Sequence, residues 1–202
     1  MKDKAWFAVV YMFLITAFFS SVVIGFARFT ADRVEANRQL AFEKAVLQVA
    51  GLAEDKADTQ LHEIFINRIQ FSEKNDKVLI VKDKGDKPVG YVVVMEGKGF
   101  WAPIKGVLGL ADDRKTVTGI AFFEQNETPG LGGKIMDDEF RDQFVEKKLI
   151  DNDQALEIKP FGTELNENQV HGITGATQTC GRLEKIINEG IKSWRNTMED
   201  NK

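Results

Sequence analysis

The sequence predicts an α+β protein, with a single N-terminal transmembrane helix followed by one domain whose antiparallel sheet is flanked by helices. Three observations carry this expectation. An uncharged apolar run fills 5–27, short runs rich in β-branched residues recur at hairpin spacing between 77 and 123, and an apolar stripe at helical spacing ends the chain. The 202 residues are 43% hydrophobic and 29% charged, the composition of a globular chain rather than a disordered one. A net charge of −4 without a basic stripe excludes nucleic acid as a partner. The single cysteine, Cys180, excludes an intramolecular disulfide, so the fold must rely on its core.

The N-terminal run, Ala5 to Ala27, is rich in Phe, Val, Ile, Leu and Ala. As a helix, about 23 residues span about 34 Å, enough to cross a bilayer core. A cleaved signal peptide is the other reading, with Gly25 and Ala27 at the cleavage site, but its apolar region would run only about 7–15 residues. The anchor is preferred on that length. Lys2 and Lys4 flank one side and Arg28, Arg33 and Arg38 the other, so charge leaves the orientation open. Residues 1–28 are thus expected to be the anchor, 29–76 a helical connector and 77–202 the main domain.

Asp32 to Val49 reads as an amphipathic helix, with Val34, Leu40, Phe42, Val46 and Leu47 near one face. It either leads away from the membrane or is a plain core helix. A polar stretch, Glu54–Gln60, follows. Four strands are expected at 78–81, 89–95, 104–110 and 117–123, the first two joined by a charged turn carrying Gly85 and Pro88. Asp137–Lys147 is expected to be a helix, with Phe140 and Phe144 four apart. The last helix is expected from about Gly175 to Met198, with Ala176, Cys180, Leu183, Ile187, Ile191 and Trp194 on one stripe.

Two loops carry chemistry. In Thr174-Gly175-Ala176-Thr177-Gln178-Thr179 the chain enters the final helix, whose first amides lack intrahelical partners and carry partial positive charge. Small residues and hydroxyls there suit a phosphate, although a plain N-cap explains the same residues. In Glu127-Thr128-Pro129-Gly130-Leu131-Gly132-Gly133, proline fixes one angle and three glycines allow close backbone approach by a flat ligand; a simple chain reversal is the alternative. The two histidines, His62 and His171, are too few for a His-rich metal site, and no nucleophile–base–acid set is evident, so neither catalytic nor metal-ligating residues are assigned. Cys180 lies on the apolar stripe and reads as core.

The Glu127–Gly132 loop followed about 45 residues later by Thr174–Thr177, behind one membrane helix, resembles the FMN-binding domain family. Its best-known members are the G subunit of the Rnf electron-transport complex and the C subunit of the sodium-pumping NADH:quinone reductase, Nqr. The resemblance spans nearly the whole chain. It implies FMN held by a phosphoester bond to Thr177 and installed by a separate flavin transferase with FAD as donor. It also implies cofactor-binding roles for Thr174, Gly175, Ala176, Thr179, Glu127, Thr128, Pro129, Gly130, Leu131 and Gly132. His171 stands where the family motif usually has aspartate, a departure that bears on the efficiency of flavinylation. Lys98-Gly99-Phe100-Trp101 and Gly132-Gly133 lean toward the Nqr type, and Thr30-Ala31-Asp32-Arg33-Val34 toward the Rnf type.

By this resemblance the chain is an electron-transfer subunit of an ion-translocating redox complex, complete only with the other subunits. It would be anchored in the lipid of the inner (cytoplasmic) membrane with its soluble domain outside the cytoplasm. A stand-alone anchored FMN domain, serving as a sensor or as donor to an exported reductase, is the alternative. A structural module that has lost its flavin is a third.

Overall fold

The computed structural model of the chain describes residues 5–53 and 57–199. Residues 54–56 of the expected polar stretch, and Lys2 and Lys4, lie outside the described residues. The chain divides into two units, 1–39 and 40–202. The first unit is the front of helix α1 (Ala5–Val49), which runs without interruption through both the expected anchor and the expected amphipathic helix. Its apolar window has a mean hydropathy of 2.4 with no share buried by protein, so it is long and apolar enough to cross a membrane.

The second unit opens with the end of α1 and with α2 (Asp58–Arg68). Five antiparallel strands follow in sequential order: β1 (Ile69–Phe71), β2 (Val78–Lys82), β3 (Pro88–Lys98), β4 (Pro103–Ala111) and β5 (Val117–Glu124). The four strands expected from sequence are all present. β1 is an addition that pairs Ile69 with Val81 and Phe71 with Leu79, so part of the stretch read as connector completes the sheet. In the β2–β3 turn, Asp83 Oδ1 accepts hydrogen bonds from the amides of Gly85 (2.7 Å) and Lys87 (2.9 Å), which satisfies the backbone of that charged segment.

Strand alternation sorts the side chains onto two faces. Leu79, Val81, Val92, Val107 and Ala121 face Ala45, Val46, Leu47 and Val49 of α1 and Leu61 and Phe65 of α2. The end of α1 is therefore part of the domain's core. Val93, Met95, Leu108, Leu110, Ile120 and Phe122 face the other way, against Leu183, Ile187, Ile191 and Trp194 of the last helix, α4 (Thr177–Glu199). Gly190 lets α4 approach β3 closely: a Cβ there would lie 2.8 Å from Met95 Cγ.

The segment 137–147 departs from the single expected helix. It forms one α turn, α3 (Asp138–Arg141), and a 3-10 turn at Asp142–Phe144. Glu146 then takes a positive φ of 64°, and its amide donates to Val117 O while Lys147 O accepts from Val117 N. Helix is given up for pairing with the start of β5, and Phe140 and Phe144 still reach the core. Beyond it, β6 (Glu157–Lys159) and β7 (Gln169–His171) form a short parallel ladder absent from the sequence expectation.

The β4–β5 turn makes a pH prediction. The Thr116 hydroxyl and the amides of Lys115 (2.9 Å) and Thr116 (2.8 Å) donate to the Asp113 carboxylate and hold its pKa at about 2, below the ordinary 3.8. A depressed carboxylate pKa stabilises the fold above the unfolded value, and the contribution is lost as pH falls through the folded one. The melting-temperature gap between wild type and Asp113→Asn is therefore expected to be small, because the group is half-exposed, and to close as pH falls from about 4 to about 2. Thermal melts across that window check it.

Candidate functional site

The segment entering α4 is shaped by its backbone. Gly175 takes a φ of 81°, open to glycine without strain, and the Ala176 amide donates to Ile173 O at 3.0 Å. α4 then begins at Thr177. Thr174, Gly175, Thr177 and Gln178 are exposed, whereas Ala176, Thr179 and Cys180 are buried. The helical period thus turns the Thr177 side chain out and those of Ala176 and Cys180 inward. Cys180 Sγ accepts a hydrogen bond from the Ile173 amide at 3.3 Å, and burial pushes its thiol pKa up, as suits a core cysteine.

Thr177 lines a cavity of about 470 Å³ together with Lys98, Gln178, Arg182, Lys185 and Glu189. Among the described residues, Lys98, Arg182 and Lys185 form no ion pair with a carboxylate. Three cations against the one carboxylate of Glu189, beside the first turn of a long helix, give this groove the electrostatics of an anion site. On the other side of the segment, Thr174 lines a cavity of about 430 Å³ with Lys134, Asp137, Phe140, Phe161, His171 and Ile173. Thr177 and Thr174 thus line different cavities, and the one beside Thr177 gathers three cations.

The glycine loop reaches the same helix start. Gly130 takes a φ of 75°, and Thr128 O accepts from the amides of Leu131 (3.1 Å) and Gly133 (3.0 Å), closing the loop on itself. Thr128, Pro129, Gly130 and Leu131 are exposed, and Gly132 is buried. Leu131 Cδ2 sits 3.0 Å from where a Cβ on Gly175 would lie, so the two loops touch there.

Glu127 is placed differently from its loop neighbours. It is buried at 5% exposure, and both carboxylate oxygens are taken by protein donors. Oε1 accepts from the amides of Phe100 (2.8 Å) and Trp101 (3.0 Å), and Oε2 accepts from Thr179 Oγ1 (2.6 Å). No space is left around it: a Cβ on Gly132 would lie 2.5 Å from Thr179 Oγ1 and 2.9 Å from Glu127 Oε2. Gly132→Ala is accordingly expected to destabilise the domain by about 1–3 kcal/mol, as overpacking does, measured by urea unfolding.

His171 donates its amide to Gln143 Oε1 (2.9 Å) and leaves Nδ1 buried without a partner, its ring 5.3 Å from that of Phe161. His62 pairs through Nδ1 with the buried Glu43 at 2.9 Å. Lys98, Phe100, Trp101, Arg182 and Lys185 gather at or beside the Thr177 groove, and sequence reasoning does not assign them to a site. The one signal for them is the Lys98–Trp101 run, which by sequence bears only on the choice between the Nqr and Rnf types.

Residues 99–192 match the FMN-binding domain family. That segment is similar to an FMN-binding domain. The matched segment begins at the β3–β4 tip and includes Glu127–Gly133, Thr174–Thr179 and most of α4. Among curated proteins, the C subunit of the Na(+)-translocating NADH-quinone reductase of Haemophilus ducreyi is 35% identical over 131 residues, covering 64% of this chain and 49% of that protein. Its counterpart from Vibrio alginolyticus is 38% identical over 110 residues, covering 53% and 43%. The chain thus spans about half the length of the curated relatives it matches. Two crystal structures share the fold of this chain at 19% identity. NqrC of Shewanella oneidensis has a TM-score of 0.66 and covers 82% of this chain and 99% of the other. The C subunit of the Na(+)-translocating NADH-quinone reductase of Parabacteroides distasonis has a TM-score of 0.65, covering 78% and 92%.

Proposed function

We propose that the chain is a membrane-anchored electron-transfer subunit of an Nqr-type redox complex, with FMN held through a phosphoester bond to Thr177. The observation that carries this reading is Thr177 itself. It is exposed at the first turn of α4, inside the segment that matches the FMN-binding domain family, in a groove with three cations that have no ion-paired carboxylate among the described residues. Phosphate charge would be met there by Lys98, Arg182, Lys185 and the helix amides. The exposed Gly175 keeps the approach free of a side chain, while Leu131 and the exposed Phe100 and Trp101 offer apolar surface for a flat ring. Thr128, Pro129 and Gly130 shape the rim, Thr174 borders the neighbouring cavity, and Ala176 and Thr179 anchor the helix start from inside.

When bound, flavin supplies one- and two-electron chemistry, and the protein's share is to hold it and set its surroundings. The long apolar helix favours attachment to a lipid membrane; the inner (cytoplasmic) membrane, with the domain on the extracytoplasmic side, is what the resemblance to Nqr- and Rnf-type subunits implies. Other members of the complex would deliver and receive electrons, and a flavin transferase would install the cofactor from FAD.

The experiment is direct. The full chain, co-expressed with a flavin transferase, is expected to run on a denaturing gel as a band with flavin fluorescence; a dark band would sink the covalent assignment. Detergent extraction from the native membrane is expected to bring polytopic membrane proteins along with the chain. Recovery of the chain alone would favour a stand-alone anchored domain instead.

A further inference from the structure

Glu127 joins three pieces of chain that are distant in sequence: the tip of the β3–β4 hairpin, the glycine loop and the first turn of α4. The tip is tight, with the Gly99 amide donating to Ala102 O at 2.9 Å, and a Cβ on Gly99 would lie 2.6 Å from Glu127 Oε1. It presents an aromatic pair, Phe100 and Trp101, whose rings stand 5.0 Å apart edge to face. Trp101 is 68% exposed. The Arg182 guanidinium sits 6.0 Å from the Phe100 ring, and Arg182 also lines the groove of Thr177. Lys98 lines both that groove and an adjoining cavity of about 470 Å³ that includes Trp101. The exposed aromatic pair therefore borders the basic groove, where aromatic faces suit a flat conjugated ligand.

We propose that Glu127 is a positioning residue that clamps the Phe100–Trp101 tip to the first turn of α4, so that the tip forms an aromatic wall of the flavin site. This rests on FMN being carried by Thr177. Glu127 does not touch the flavin, because both of its oxygens are occupied within the protein. A carboxylate suits the task because it is all acceptor, and the three groups that face it are all donors. Glutamine can substitute, turning its oxygen to the two amides and its NH₂ to the Thr179 hydroxyl oxygen. Alanine cannot, and would leave three donors buried without partners.

The test uses the full chain loaded with FMN by co-expression with a flavin transferase, and reads the emission of the attached flavin. An indole in contact with the ring quenches that emission, so Trp101→Leu is expected to raise it. Glu127→Ala is expected to raise it as well, although Trp101 is still present, and Glu127→Gln to keep the wild-type yield. Should Glu127→Ala fail to fold, Thr179→Val cuts only one of the three bonds and is expected to raise emission, with Thr179→Ser restoring it. Unchanged emission in Trp101→Leu overturns the aromatic wall. Wild-type emission in both Glu127→Ala and Thr179→Val overturns the clamp. In each of those cases the flavin band on the gel persists and the assignment of Thr177 stands. A wild-type chain that takes up no flavin overturns that assignment, and this inference with it.

Discussion

Thr177→Ala is expected to abolish covalent flavin altogether, read as a dark band on a denaturing gel, while leaving the fold in place. A phosphoester needs a hydroxyl oxygen at that position, and alanine has none. Neighbouring hydroxyls do not substitute. Thr179 is buried and donates to Glu127 at 2.6 Å, and Thr174 lies on the far side of Gly175, against the other cavity. Thr177→Ser keeps the oxygen at the same point of the helix and is expected to keep the band. Thr177 is exposed, and alanine is the best helix former, so stability is expected to change by no more than about 0.5 kcal/mol. A urea midpoint close to wild type in the dark variant separates lost chemistry from lost structure. A fluorescent band in Thr177→Ala would move the attachment to another residue.

Leu183→Ala is expected to cost about 2–5 kcal/mol of folding stability, the range for a buried leucine whose removal leaves a cavity. Leu183 has no exposure and sits in the centre of the α4 stripe, in the cluster that joins α4 to β3, β4 and β5. Its loss affects the site as well as the core, because α4 carries Thr177 and Thr179 at its start and Arg182 and Lys185 beside the groove. Against a typical stability of about 5–15 kcal/mol, a loss of this size is a large share of the total. Urea unfolding of the purified chain measures it. A change under about 1 kcal/mol would mean that the domain repacks around the gap almost completely.

Much of this protein can be read without coordinates, because the relevant forces act over a few residues. A charge-free apolar run predicts a spanning helix, β-branched runs between turn residues predict four of the five strands of the sheet, and the spacing from Ala176 to Trp194 predicts α4. The Thr177 position at the helix start is equally local: small residues and hydroxyls preceding an apolar period. What the tertiary structure decides is where distant pieces meet. Glu127 stands 26 and 27 residues from the amides it accepts and 52 from the hydroxyl it accepts, separations set by sheet register and by α4 packing. The three-residue strands β1, β6 and β7 are too short to show an alternation. The break in the helix after Arg141 follows from pairing with β5, a partner that local propensity does not register. Sequence alone therefore located the threonine and the helix that presents it; packing alone gathered the cations, the aromatic tip and the buried carboxylate around it, because those contacts join side chains that neither periodicity nor spacing relates.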